Sequence, residues 1–332
     1  MMPTLALLLL ACSTPAPENE APAAPKERKL TLAAYTTPRE AYRVILPAFA
    51  ADWQQKTGEK VTFEESYQGS GAQARAVREG FEADVVALSL DPDVQLLEEA
   101  GLITSDWRAA PWGGMVTRSL VVVAVRPGNP KKILDWSDLG RADVDVLTPN
   151  VRTSGGAMWN VLAIWGAGLR GHAGVTAGDL SGATGLLGAV LGRVKVMDKG
   201  ARESIVSFEK GVGDAAITYE HEVLGARLAG KEMDYVIPSS TIQIENPVAV
   251  VDSYAKKHGN EDLALAFLAY LRTPPAQKAF ADFGFRPLDS SVAPANLAVP
   301  ADLFTIQDLG GWAALKTQVF SPGAAYDQAA PK

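Results

Sequence analysis

From about residue 29 onward, short apolar runs alternate with stretches whose apolar positions recur every three or four residues. That alternation predicts an α/β architecture. Leu30-Thr31-Leu32-Ala33-Ala34-Tyr35 predicts a first strand. Thr37-Pro38-Arg39-Glu40 then offers a hydroxyl cap, a first-turn proline and a glutamate three residues past the cap. This is a capping box, predicting a helix that runs to about Gly58. Apolar runs at residues 61–66, 83–88 and 120–125 predict further strands, with shorter ones at 194–196, 215–218 and 247–251. A helix over 262–272 stops before Pro274-Pro275, and another falls near 311–320.

The N-terminal region follows a different pattern. Leu5-Ala6-Leu7-Leu8-Leu9-Leu10-Ala11 is too short an apolar run to span a bilayer. It ends at Cys12, and Leu9-Leu10-Ala11-Cys12 resembles a bacterial lipoprotein cleavage box. Residues 13–25 are dominated by Pro, Ala and Glu, a composition that cannot bury enough apolar surface to fold. Residues 1–11 are therefore expected to be a signal peptide, and 12–28 a lipidated Cys12 followed by a disordered tether. Cys12 is the chain's one cysteine, which excludes an intramolecular disulfide and a Cys-rich zinc site.

Composition sharpens this picture in two respects. A length of 332 residues suggests about two domains. The net charge of −7, from 31 Lys+Arg against 38 Asp+Glu, argues against nucleic-acid binding, which needs a clustered basic surface. It does not exclude a small anion, because surface charge is screened over about 8–10 Å while a buried anion feels the donors around it.

Four segments share one design, a strand followed by small or hydroxyl residues and a helix start. They are Tyr35-Thr36-Thr37, Gly69-Ser70-Gly71-Ala72, Thr153-Ser154-Gly155-Gly156-Ala157 and Gly200-Ala201-Arg202. Unpaired first-turn N–H groups and the positive end of the helix dipole together attract anions. Singly, such segments are ordinary caps; four in one α/β chain point to an anion site. Enzyme signatures are missing from the sequence. Gly69-Ser70-Gly71 is not a nucleophile elbow, and no phosphate-loop or dinucleotide fingerprint occurs. His172, His221 and His258 are far apart in sequence. Glu220-His221-Glu222 is expected to be a solvated first helical turn, and Glu203 a solvated residue at a helix start. A hydrolase using Ser70 or Ser154 is the disfavoured alternative.

The ordered motifs resemble the periplasmic sulfate-binding proteins of ABC importers over nearly the whole folded length. They include Tyr35 to Glu40, Gly69-Ser70-Gly71-Ala72-Gln73, residues 82–88, Arg126 to Lys131 and Ser154 to Asn160. Gly200-Ala201-Arg202, Gly211 to Asp214 and Phe285-Arg286-Pro287 continue the series. The resemblance implies a two-lobed type II periplasmic binding fold with two crossing hinge segments and a ligand cleft between the lobes. Lobe I would comprise 29–117 plus 242–332, and lobe II 118–241. It implies capture of sulfate or thiosulfate by uncharged donors, with no cofactor and no metal. The backbones of Ser70, Gly155, Gly156 and Ala201 would donate, with Ser154 adding its hydroxyl and Thr36 and Tyr219 completing the site. It further implies a periplasmic monomer, held to the membrane by its lipid anchor alone, that delivers the anion to permease and ATPase subunits. Two positions depart from the family pattern. Thr36 stands where the family usually has Asp, and Tyr219 where it has a Trp donor. Because a hydroxyl can accept as well as donate, the alternative ligand is phosphate or another tetrahedral oxyanion.

Overall fold

The structure, a computed structural model, describes residues 26–295 and 297–331. Cys12 and the expected signal and tether segments before residue 26 lie outside the described residues. The chain opens with β1 (Glu27–Tyr35), α1 (Arg39–Thr57), β2 (Lys60–Gln68), α2 (Ser70–Arg78), β3 (Val85–Ala87) and α3 (Asp91–Glu99). It crosses over in β4 (Met115–Val125). Next come β5 (Val146–Leu147), α4 (Gly155–Leu169), α5 (Leu180–Leu191), β6 (Val194–Val196), α6 (Ala201–Glu209), β7 (Ala215–Tyr219), α7 (Glu220–Leu228) and β8 (Asp234–Val236). It crosses back in β9 (Ser240–Val250), followed by α8 (Asp252–His258), α9 (Glu261–Leu271), α10 (Pro274–Asp282), β10 (Asp302–Phe304), α11 (Gly311–Leu315) and α12 (Ala325–Ala329).

The strands run in the order β2-β1-β3-β9-β4-β7-β5-β6, with β10 added beside β9 and β8 beside β4. β1 is parallel to β2 and β3, and β5 is parallel to β6 and β7, so each side of the sheet is a parallel unit. The two eleven-residue strands join the units. β9 pairs with β3 through Val248–Val250 and with β4 through Gln243–Pro247, and the far half of β4 pairs with β7.

Helices cover both faces of each unit. On β1, Leu30, Leu32 and Ala34 pack under α1, α9 and α10, while Ala33 faces α2 and α3. On β4, Val121, Val123 and Val125 face α4 and α5, and Leu120, Val122 and Ala124 face α6 and α7. Burial on both faces explains why these strands read as unbroken apolar runs rather than alternating ones. No helix of the described residues is long and apolar enough to cross a membrane.

Three expectations need correction. β1 begins at Glu27, two residues inside the expected tether. There it pairs with Lys60, and Arg28 is buried in contact with Asp262 at 2.6 and 2.9 Å. The capping box at α1 does not form. The helix starts at Arg39 without a side-chain cap, because the Thr37 hydroxyl is engaged 2.8 Å from His221 Nε2. Finally, the segment from Asp302 to Ala329 does not pack with the first lobe. Phe304, Leu309, Leu315, Val319 and Ala325 share a core with Trp159, Trp165 and Leu187 of α4 and α5. Arg170 fixes this segment with a bidentate pair to Asp302 at 2.6 and 2.7 Å.

Candidate functional site

In each parallel unit the carboxyl ends of the strands face the junction between the two units, the position where open α/β sheets bind ligands. The chain leaves β1 at Tyr35, β2 at Gln68, β3 toward Ser89, and β7 at Tyr219. α2, α4 and α6 begin there with Ser70, Gly155 and Ala201. As first-turn residues these have no intrahelical acceptor for their amides.

A very small cavity of about 10 Å³ lies among these termini. Tyr35, Thr36, Thr37, Gly69, Ser70 and Ser89 line it from one side, and Ser154, Gly155, Gly156, Ala201 and Tyr219 from the other. All seven residues expected at a ligand site, Thr36, Ser70, Ser154, Gly155, Gly156, Ala201 and Tyr219, are therefore brought together. None of the lining residues is charged. That is about the room one water molecule needs and far below the roughly 300–1,000 Å³ of sites for drug-sized ligands, so only a very small guest is compatible with it. Wider grooves, such as the one lined by Arg28, Glu64, Glu82 and His258, lie elsewhere and contain none of the seven.

Glycine is required at two of these positions by close approach. A Cβ on Gly69 would lie 2.5 Å from the Thr153 carbonyl oxygen, across the junction. A Cβ on Gly156 would lie 2.8 Å from the Tyr219 ring and 3.1 Å from Ala201 Cβ. The hydroxyl of Ser154, at the N-cap of α4, makes no cap hydrogen bond and stays available to the cavity. The Ser70 hydroxyl is committed, since it donates to Asp93 Oδ2 at 2.5 Å and accepts from the Ser89 amide at 2.8 Å. Its backbone amide is what Ser70 offers. Burial pushes the Asp93 carboxyl up to about 6, opposed by the Ser70 hydrogen bond and by Arg75.

Sequence reasoning missed Ser89, and it named Tyr35 only within the Tyr35-Thr36-Thr37 segment, not among the seven site residues. The Ser89 hydroxyl lies 2.6 Å from the Tyr219 hydroxyl and accepts from Trp159 Nε1 at 3.2 Å. It comes from a small residue after a buried strand, with no glycine or helix start to mark it. The Tyr35 hydroxyl is buried, lines the cavity and has no hydrogen-bond partner among the described residues.

Glu220-His221-Glu222 is not a solvated turn, since all three residues are buried. Glu220 takes a bidentate pair from Arg286 at 2.6 and 2.9 Å. His221 sits between Ser119 and Thr37 and stacks on Phe285 with ring centroids 3.8 Å apart; burial pushes its pKa well below the ordinary value. Glu222 lies 3.0 Å from Arg202 Nε, and burial lifts its carboxyl to about 7 against that cation. Glu203 occupies the first turn of α6 as expected, but one carboxylate oxygen folds back over Gly200 and is shielded from solvent.

A two-lobed α/β protein with uncharged donors converging between its lobes belongs to the class of periplasmic binding proteins. Residues 30–286 match the family described as bacterial extracellular solute-binding protein, and the chain belongs to that family. It is 43% identical to a sulfate-binding protein of Synechococcus elongatus over 305 residues, covering 90% of this chain and 86% of the relative. A thiosulfate-binding protein of Escherichia coli is 34% identical, with 90% of each chain covered. Among solved structures, the sulfate-binding protein SubI from Mycobacterium tuberculosis superimposes with a TM-score of 0.80 at 37% identity. That match covers 89% of this chain and all of the SubI chain.

Proposed function

We propose that this protein is an extracytoplasmic receptor that captures sulfate, or thiosulfate, and hands it to the permease and ATPase subunits of an ABC importer. The observation that carries this reading is the convergence of the seven residues on one small, uncharged cavity between the lobes. The first-turn amides of Ser70, Gly155, Gly156 and Ala201, the Thr36 backbone and the hydroxyls of Ser154 and Tyr219 would surround the anion. Hydrogen bonds to an ion contribute about 1.5–3 kcal/mol each, so several together offset the cost of desolvating a dianion. The sulfate- and thiosulfate-binding relatives support the same ligand class.

Binding rather than catalysis fits the side-chain geometry. The Ser70 hydroxyl faces a carboxylate, and His221, the one histidine near the cavity, is bonded to Ser119 and Thr37. Neither serine is set up for attack by an adjacent imidazole. In this reading the protein works as a monomer that closes when an anion satisfies donors of both lobes at once. Cys12 would carry the lipid that keeps it at the outer face of the membrane, which mass spectrometry of the membrane fraction checks directly. Calorimetric titration with sulfate, thiosulfate and phosphate tests the ligand. Micromolar or tighter binding of sulfate or thiosulfate is expected, and heat with neither overturns the proposal. A second reading, phosphate or another tetrahedral oxyanion as the preferred ligand, is favoured by the hydroxyl at Tyr219, which can accept as well as donate. Tighter binding of phosphate than of sulfate would select it.

A further inference from the structure

The cavity contains a hydroxyl pair whose protons can be counted. Ser89 Oγ and Tyr219 OH are 2.6 Å apart, and both residues are about 1% exposed. The Trp159 indole, which can only donate, lies 3.1 Å from the Ser89 carbonyl oxygen and 3.2 Å from Ser89 Oγ. Asn246 Nδ2 donates to the same carbonyl at 3.1 Å, and the Ser89 amide donates to Ser70, so Ser89 is held from every side. The two hydroxyls bring two protons, and their mutual bond uses one. Apart from the Trp159 N–H on Ser89 Oγ, neither hydroxyl has another protein partner among the described residues. Trp159 brings a proton to Ser89 and removes none. One O–H is therefore left over, and the cavity is what both residues line.

The geometry points to Ser89 as a ligand-determining residue: the Ser89–Tyr219 pair acts as one shared donor, delivering a single O–H to the bound oxyanion from either oxygen. This rests on the oxyanion-binding reading above. If Tyr219 donates to Ser89, the serine proton reaches the anion; if Ser89 donates to Tyr219, the phenol proton does. The arrangement also makes the pair redundant. Ser89→Ala leaves the Tyr219 proton free for the anion, and it does not strand the Trp159 N–H, which keeps the Ser89 carbonyl. Tyr219→Phe leaves the serine proton free. Only the double variant has no hydroxyl proton to give.

The test is a double-mutant cycle read by calorimetric titration with sodium sulfate, with melting temperature without sulfate recorded for all four proteins. Each single variant is expected to keep sulfate affinity within about tenfold of the parent. The double variant is expected to fall by at least tenfold more than the product of the two single effects, the least that losing a hydrogen bond to an ion produces. Lost packing alone gives a product of effects and lowers the melting temperature in parallel. A double variant that binds sulfate no worse than that product overturns the shared-donor assignment. If the double variant does not fold, Ser89→Cys in the Tyr219→Phe background is judged by the same criterion, a thiol being a weak donor. Failure of the parent itself to bind sulfate would instead refute the functional reading.

Discussion

Arg202 Nη2 lies 2.9 Å from Glu40 Oε2 and 3.2 Å from the Thr37 carbonyl oxygen, so a guanidinium rooted one residue past Ala201 grips the opposite lobe. Its Nε is at the same time 3.0 Å from the buried Glu222. This contact bridges the lobes directly beside the cavity.

Weakening that grip should cost ligand affinity. The Arg202 and Glu40 side chains are each about one-third exposed, and such pairs contribute about 0.2–1 kcal/mol. Glu40→Gln is therefore expected to weaken sulfate binding by up to about fivefold with little change in melting temperature. Arg202→Ala should do more, because it also strands Glu222 in the interior without a cation. A melting temperature lower by several degrees, together with the affinity loss, is the expected outcome in parallel melts and titrations.

Gly156→Ala tests the close approach at the first turn of α4. Alanine suits a helix better than glycine by up to about 1 kcal/mol, but here its Cβ would overlap a buried ring. The added Cβ would lie 2.8 Å from the Tyr219 ring and 3.3 Å from Ser154 Oγ. It displaces at least one donor, which corresponds to a loss of about tenfold or more in sulfate affinity. Because the buried Tyr219 ring must shift, the melting temperature without ligand is also expected to fall by a few degrees. Unchanged affinity in calorimetry would show that the anion does not sit against Gly156.

Much of this was legible in the sequence, and what was not has physical causes. Central strands such as β4 announce themselves because both faces are buried. The helix starts at Ser70, Gly155 and Ala201 are legible because unpaired amides and small residues leave a local signature. β9 was visible only from Pro247, since Gln243, Glu245 and Asn246 are polar residues at the crossing between lobes. Asn246 is nevertheless buried, bonded to the Ser89 carbonyl. Ser89 and the burial of Glu220-His221-Glu222 were hidden for a related reason. Their environment is set by partners 66 to 184 positions away, such as Trp159, Arg286 and Thr37. Local pattern carries no trace of such pairings, and none of the packing of 302–329 against α4 and α5.

Glu222 should shape the dependence of stability on pH. Its carboxyl is lifted to about 7 from an ordinary 4.5, so the folded state binds its proton more tightly than the unfolded chain does. Between about pH 4.5 and 7 the folded protein holds more protons, and stability declines as pH rises. The full effect is up to about 3 kcal/mol, reached by pH 7. Asp262 and Asp302, held down to about 2 by Arg28 and Arg170, act in the opposite sense below pH 4, where stability falls as pH falls. Buried His221, whose pKa lies well below its ordinary value, opposes this decline below about pH 6.5, so the Glu222 contribution is read as the difference between parent and Glu222→Gln in thermal melts across pH 3–8 without ligand. Glu222→Gln, neutral at every pH, should flatten the decline toward neutrality; an unchanged slope would assign that decline elsewhere.

Asp93 should couple pH to affinity in the same range but through the cavity itself. At neutral pH its carboxylate takes the Ser70 hydroxyl proton, turning that hydroxyl away from any ligand. Its carboxyl is lifted to about 6, so lowering the pH through 6 protonates it. A protonated carboxyl donates instead of accepting. Ser70 Oγ, already accepting from the Ser89 amide, would then take the Asp93 proton and turn its own toward the cavity. The site gains a donor and loses a nearby negative charge, and both changes favour an oxyanion. Sulfate stays a dianion throughout this range, so the ligand contributes no pH dependence of its own. Affinity measured at pH 5 is expected to exceed that at pH 7 by about tenfold, the low end for a hydrogen bond to an ion. Asp93→Asn supplies the control, because an amide N–H can donate to Ser70 at every pH. That variant should bind sulfate at pH 7 about as tightly as the parent does at pH 5, with a flat profile between. A parent profile equally flat would mean that the Ser70 hydroxyl keeps its bond to Asp93 throughout and only its backbone serves the ligand.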